Sequence, residues 1–267
     1  MDGSSRLPPH PIELVNWLGL WTHYLKEVRR FLKVPTQTVT GPAVTTLLFL
    51  VIFDVALGGR RADVAGVPFV DFLAPGLLMM AMAQNAFANT SSSLLIAKTQ
   101  GTIGDLLTAP LGPAEIVAGF ALGGVTRGLV VGLAVAAAVL PFASLGVAHP
   151  AFVLFHALAA GLMLALVGIL TGLWAQRMDH LGAATSFVVT PLTFLSGTFY
   201  SVGDLPEGFR LAAHLNPFFY MIDGFRYGFV GRADGPLGVG VAVLLGANAL
   251  LAALCWRAVA SGWRLKP

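Results

Sequence analysis

From Ile116 to Phe142 the chain carries one charged side chain, Arg127, and from Ala151 to Ala175 it carries none. Stretches of this kind do not belong to a soluble domain, where about a quarter of all residues are charged. About 20 apolar residues in a helix cross the ~30 Å hydrocarbon layer of a bilayer, and without the alternation of a strand these runs read as spanning helices. Four more runs share the pattern: Val39 to Gly58, Phe72 to Ala97, Leu181 to Tyr200 and Leu237 to Val259. The whole chain of 267 residues is 56% hydrophobic and 11% charged, with mean hydropathy +0.79. Sixteen basic and 13 acidic residues are too few to cover a soluble globule, and the apolar content excludes a disordered tail. The expected fold is therefore an all-α integral membrane protein with six spans and both termini on one side. A terminal segment (1–38) precedes the spanning region (39–259), and a short tail (260–267) follows it.

The segment from Glu13 to Val34 has a different character. Leu14, Trp17, Leu18, Trp21, Leu25, Val28 and Leu32 recur at three- and four-residue spacing, with Lys26, Glu27, Arg29, Arg30 and Lys33 mostly off that stripe. It reads as an amphipathic helix on the membrane surface with its indoles at headgroup level; as a first span it would carry several charges into hydrocarbon. The positive-inside rule favours cytoplasmic termini. That orientation places Arg6, Lys26, Arg29, Arg30, Lys33, Lys98, Arg177, Arg257, Arg264 and Lys266 inside, against Arg60, Arg61, Arg210, Arg226 and Arg232 outside. Scattered in this way, the net charge of +3 does not form a nucleic-acid patch. Cys255 is the only cysteine, which excludes a disulfide within one chain, and the residues before Ile12 lack the pattern of a cleavable signal.

Several chemistries lack their residues. A P-loop places glycine directly before its lysine, whereas the lysines here follow Leu25, Leu32, Ala97 and Leu265. No histidine precedes a glutamate, as the zinc-protease helix requires. Ion-coupled transport relies on ionisable groups near the midplane, but apart from Arg257 at the last turn of the sixth span only Asp54, towards one end, and Arg127 lie inside the spans. The polar residues inside spans are mostly uncharged. Asn85, Asn89 and Ser92 share one face of the second span, and Thr190, Thr193 and Ser196 flank Pro191 in the fifth. They serve either interhelical hydrogen bonding or a mildly polar wall for an amphipathic substrate. Gly119 and Gly123, and then Gly124, Gly128 and Gly132, form small-residue stripes for close helix approach. Arg127 sits within them, so a carbonyl or an acidic partner is expected in the bundle interior.

The segments Thr190-Pro191-Leu-Thr-Phe-Leu-Ser-Gly-Thr-Phe-Tyr200, Leu205-Pro206, Leu215-Asn216-Pro217 and Tyr220-Met-Ile-Asp-Gly-Phe-Arg226 resemble the membrane subunits of type-2 ABC exporters, in particular their small bacterial permeases. So do Phe72-Leu-Ala-Pro75-Gly76, Lys98-Thr-Gln-Gly101 through Pro110, and Gly123-Gly-Val-Thr-Arg127-Gly128. The resemblance runs from about Trp21 onward. It implies the type V exporter fold: six spans, an amphipathic connecting helix before the first, a cytoplasmic coupling helix after the second, and a re-entrant outer hairpin before the last.

On that resemblance Trp21, Glu27 and Arg30 belong to the connecting helix. Lys98 to Pro113 fills the coupling position, with Gly101 and Ala109 in the same loop, Ile103, Leu106 and Leu107 as an apolar docking face, and Pro110 as a stop. The expectation is that a charge at Ile103 or Leu106 uncouples without unfolding. Asn85, Asn89, Ser92, Thr190 and Phe194 are the expected substrate pathway, Phe199, Tyr200 and Asn216 the outer gate, and Arg127, Gly124 and Gly128 the intramembrane packing. The hairpin from Leu205 to Phe229 would consist of two short amphipathic pieces broken at Pro217. The implied function is a bacterial inner-membrane permease that exports an amphipathic, lipid-like, drug-like or glycan substrate. No catalytic site or cofactor is expected in this chain. ATP and magnesium would sit on a separate ATPase subunit present in two copies, and the permease would pair with a second copy within membrane lipid. The other classes in view are a secondary transporter or channel without an ATPase, and an intramembrane enzyme or scaffold.

Overall fold

The computed structural model describes residues 15–55, 63–64 and 66–265. Residues 1–14, with Leu14 and Arg6, lie outside the described residues, as do the loop carrying Arg60 and Arg61, the expected end of the first span at Gly58, and Lys266. Asn16 starts helix α1 (Trp17–Leu32) by accepting the Gly19 N–H on its side chain at 2.9 Å. A wide π-helical turn (Thr36–Thr40) leads into α2 (Gly41–Phe53), and the short pair β1 (Asp63–Val64) and β2 (Val67–Pro68) precedes α3 (Phe69–Thr99). Gly101, at φ +75°, adopts the left-handed conformation that ends α3 and turns the chain into α4 (Ile103–Thr108). Next come α5 (Pro113–Val139), α6 (Pro150–Trp174), α7 (Met178–Ala184), another π-helical turn (Thr185–Val189) and α8 (Thr190–Leu195). A 3-10 turn (Val202–Asp204), α9 (Glu207–Leu215), α10 (Pro217–Val230) and α11 (Leu237–Ala260) complete the chain.

Among the described residues five helices are long and apolar enough to cross a membrane: Thr36–Phe53, α3, α5, α6 and α11. The expected fifth span is helical but is broken into α7, the π turn and α8, and it stops at Leu195 rather than Tyr200. The π turns Thr36–Thr40 and Thr185–Val189 each end two residues before a proline, Pro42 or Pro191. Proline has no N–H to give the preceding turn and crowds its carbonyl, so the helix widens there.

Helix α3 lies at the centre, with 83% of its most apolar window buried, against 17% for the first span and for α11. Small residues bring its neighbours close. A Cβ on Gly128 of α5 would meet the Met82 carbonyl at 2.9 Å, and one on Gly172 of α6 would meet the Ser91 carbonyl at 2.9 Å. The contacts sort into two ends. At one, Lys98 Nζ donates to the carbonyls of Gly172, Leu173 and Ala175, capping α6, and Arg264 donates to Trp174. At the other, Phe53 stacks on Phe199, Ser144 N–H donates to Asp71, and His149 N–H to Gly228. The chain does break at Asn216–Pro217, as expected for the hairpin. Of its two pieces only α9 is amphipathic and exposed, with Phe209, Leu211 and Leu215 outward. Helix α10 is core, with Phe218 to Arg226 buried, because it packs between α3, α6 and α11.

Candidate functional site

Helix α1 turns a partly polar face inward, made of His23, Glu27 and Phe31 at four-residue spacing, and packs it on α5. Gly119 and Gly123 make this possible. A Cβ at Gly119 would collide with the His23 ring, and one at Gly123 would lie 2.5 Å from the Glu27 Cβ. The expected glycine stripes thus serve different partners: Gly119 and Gly123 receive α1, while Gly124, Gly128 and Gly132 receive α3 through Thr90, Met82 and Ala86. Trp17, Leu18, Trp21 and Leu32 of the apolar stripe remain exposed on the outside.

Behind this contact lies a chain of polar groups that joins three helices. Glu27 is fully buried; its carboxylate accepts from Ser93 Oγ at 2.8 Å and pairs with Arg30 Nε at 3.4 Å. Arg30 Nη2 reaches α3, donating to the Asn89 carbonyl at 2.7 Å and to its Oδ1 at 2.8 Å. One turn away, Arg127 Nη2 donates to Asn85 Oδ1 at 3.1 Å. The partner expected for Arg127 is therefore an amide oxygen. Asn85 and Asn89 face α5 and α1 and hold arginines, so they do not form an open wall. Ser92 is half-buried and bonds back to Ala88 of its own helix; Thr190 is half-buried and Phe194 exposed.

His23 lies edge-on to Phe120, with Nε2 3.3 Å from the Ile116 carbonyl, a bond made when that nitrogen carries the proton. Burial, and then Lys26, lower its pKa to about 4. The unfolded chain, with a histidine pKa of about 6.5, binds the proton more readily, so this contribution to stability is present above pH 6.5 and is lost as pH falls toward about 4. Thermal unfolding of detergent-solubilised protein should show a lower midpoint on acidification through that window, and less so for His23→Gln. Identical pH profiles for the two proteins would refute the assignment.

At the same end α1 meets the α4–α5 connection. Glu115 Oε1 accepts the Asn16 N–H at 2.5 Å, its Oε2 accepts the Gly112 N–H at 2.6 Å, and Asn16 Nδ2 donates to the Pro110 carbonyl at 3.0 Å. Sequence reasoning missed Asn16 and Glu115, although an asparagine before an apolar run and a glutamate just after Gly-Pro are both helix-start signals. Between α1, the end of α3 and α4 opens a groove of about 800 Å³, lined by Leu18, Thr22, Lys26, Ile96, Asp105 and Leu111 among others. Of the expected face of α4, Ile103 is 4% exposed and belongs to the core of the chain itself, Leu106 is 9% exposed, joins that core and also lines the groove, and Leu107 is exposed. Six residues in one and a half turns give an apolar side without saying which way it points. From Gly101 to Pro110 the exposed residues are Gly101, Thr102, Gly104, Asp105, Leu107, Thr108 and Pro110, with Ala109 half-buried.

At the opposite end Phe199 is buried among Phe49, Phe53 and Phe194, with ring centroids 4.6 to 5.9 Å away. Tyr200 Oη donates to the Phe194 carbonyl, and Asn216 Nδ2 donates to Leu192 and to Ser196 Oγ, tying the hairpin to α8. Phe194, Phe199, Tyr200 and Asn216 are thus brought together. Arg226 was not among the expected site residues. It is 3% exposed, donates to the carbonyls of Phe72, Gly197 and Thr198, and lies 3.9 Å over the Phe72 ring.

The bundle of apolar helices thus has an open groove at one end and an aromatic cluster at the other. The family described as ABC-2 type transporter matches residues 19–230. The chain is 39% identical over 250 residues to the inner membrane transport permease YadH of Escherichia coli (strain K12), covering 94% of this chain and 98% of that protein. It is also 27% identical over 243 residues to nodulation protein J of Sinorhizobium fredii, covering 89% of each. The chain belongs to the ABC-2 type transporter family and is a membrane permease subunit of an ABC transporter.

Proposed function

We propose that two copies of this chain form an exporter for an amphipathic substrate in the bacterial inner membrane, driven by two separate ATPase subunits that carry ATP and magnesium. The observation that carries this reading is the groove between α1 and α4, held in shape by Asn16 and Glu115. An ATP-driven motor has to push on the permease, and this junction offers a fixed seat with Leu107, Asp105 and Thr108 exposed beside it. Force applied there reaches α5 through the packed α1 face and α3 through the Glu27–Arg30–Asn89 chain. The inner-membrane location is supported by the name of the YadH relative together with the apolar helices.

Six crossings with both termini in the cytoplasm are supported by the two ends of the bundle. Trp174 and His180 pack together at the α1 end, whereas Phe199, with Phe194 against it, meets Phe49 and Phe53 at the other. The segment 178–195 therefore runs from one end to the other despite its π turn. Helices α9 and α10 then form the re-entrant hairpin on the outer side, and the aromatic cluster with Tyr200 and Asn216 forms the outer gate. Ser186, Phe187, Pro191 and Phe194 are exposed along the broken helix and, with Thr190 and Ser92, line the pathway between copies.

Coexpression with the neighbouring ATPase subunit tests the docking site. Leu107→Asp should abolish or strongly reduce co-purification of the ATPase while leaving the thermal midpoint of the permease unchanged. Leu106→Asp, at a buried position, should instead lower that midpoint. Full co-purification with Leu107→Asp would overturn the seat proposed here.

A further inference from the structure

We propose, resting on the pathway reading given above, that Gln84 of α3 binds an uncharged hydrogen-bonding group of the cargo, a hydroxyl or an amide, at the closed end of a slot that opens toward the groove. Helix α3 is covered almost all round. From Phe72 to Lys98 only Gln84, Ala88, Ser92 and Ile96 are half-buried, and every other residue is buried. Four-residue spacing puts these four on one side of the helix, in a strip about 18 Å long at 1.5 Å per residue. Its inner end, Ile96, already lines the groove. Its outer end is abrupt, since Met80, one turn beyond Gln84, is buried together with every residue back to Phe72. Packed elements flank the strip on both sides. On one, Asn89 and Ser93 hold Arg30 and Glu27 of α1; on the other, Leu95 packs with Ala175 and with Leu181 of α7. The strip is therefore the floor of a slot between α1 and the start of the broken helix.

Gln84 is the central residue of α3, so the slot ends near the middle of the span. Its side chain makes no hydrogen bond among the described residues, whereas Asn85, Asn89, Thr90, Ser91, Ser92 and Ser93 of the same helix all do. A carboxamide left without a partner at this depth is costly, and its oxygen and N–H groups are free for a group that both donates and accepts. No charged residue lies on the strip. Arg127, level with Gln84, turns instead to Asn85, about 100° around the helix. An ionic cargo group would thus lack a counter-charge on the strip, whereas a neutral one can pair with the amide while an apolar part lies along Ala88 and Ile96. A contact between copies along α3 has no reason to stop halfway. An uncovered face that starts at the groove and ends at one unpaired amide is what a site open to one side presents, and cargo is the occupant assigned to it.

The test uses the full-length chain in inside-out membrane vesicles, with Ser92→Cys as a reporter on the floor of the slot; the native Cys255 is buried. A water-soluble maleimide added from the cytoplasmic side should label the Ser92→Cys protein, read as a mass shift after purification, and should leave Met80→Cys unlabelled. Octyl glucoside, below its micellar range, should protect the reporter, and octyltrimethylammonium should protect it much less. In the double variant Gln84→Leu, Ser92→Cys, protection should need about five-fold more octyl glucoside. Gln84→Leu should keep the wild-type melting midpoint, because the amide bonds to nothing within the chain. Absence of labelling from the cytoplasmic side, absence of protection by octyl glucoside, or equal protection by the two probes each overturns the proposal. So does unchanged protection in the Gln84→Leu background; a smaller dimer fraction in that case assigns the amide to the second copy. Because the labelling needs no ATPase, it can fail while the Leu107 docking result stands.

Discussion

Glu27→Ala is expected to lower the stability of the permease by about 2–4 kcal/mol and to uncouple ATP hydrolysis from transport in the assembled complex. The carboxylate is fully buried, and it both receives the Ser93 hydroxyl and balances Arg30. Removing one partner of a fully buried pair costs about 3–5 kcal/mol, because the other charge is left in a poor environment. The Arg30 side chain is 29% exposed and keeps its two bonds to Asn89, which brings the expected loss below that range. Glu27→Gln preserves shape and one acceptor and should fall between. The functional effect follows from position. Helix α1 is the element that joins the groove to α5, so a loosened α1 transmits less of any push applied there. A double-mutant cycle with Arg30→Ala isolates the pair. A wild-type melting midpoint and wild-type transport-linked hydrolysis in Glu27→Ala would refute this role.

The spans were legible in the sequence because lipid allows so little else. Long runs without charge have one stable solution in a bilayer, and α3, α5, α6 and α11 fall within a few residues of the expected limits. The break in 178–195 was partly legible, since Pro191 is visible, but whether a proline kinks, widens or ends a helix depends on what packs against it. Orientation around a helix axis was harder to read. The tryptophan stripe of α1 was correctly seen as one surface, yet the side that docks is the one with histidine and glutamate. Glycines on α5 wait there to receive it, and only the assembled pair shows the match. The same limit applies to Ile103 and Leu106, an apolar pair that packs in the chain's own core, with Leu106 also lining the groove. Asn85 and Asn89 share a face, as the spacing required, but that face holds Arg127 and Arg30, which lie far from it in sequence.

The second large effect is expected at Arg226, where Arg226→Leu should destabilise the fold by about 3–5 kcal/mol and open the outer end. Its guanidinium ties α10 at once to the first turns of α3, through Phe72, and to the turn after α8, through Gly197 and Thr198. Leucine fills some of the volume but leaves these buried carbonyls without their shared donor, and the stacking on Phe72 is lost as well. Arg226→Lys should restore only part of the stability, because an ammonium cannot present the planar fork that reaches carbonyls in two directions. Nearby groups hold the other edge of the same turn: Asp223 accepts from the N–H groups of Asp234 and Gly235, and Asp234 accepts from Ser201 and Val202. With that edge intact, the loss in Arg226→Leu falls on Gly197 and Thr198, and so on Phe199, the next residue and the hub of the aromatic cluster. The expected signature, if the aromatic cluster is the outer gate proposed above, is a lower melting midpoint together with ATP hydrolysis that proceeds without substrate stimulation. An Arg226→Leu protein with an unchanged midpoint and intact substrate stimulation would show that the clamp is not what holds the gate.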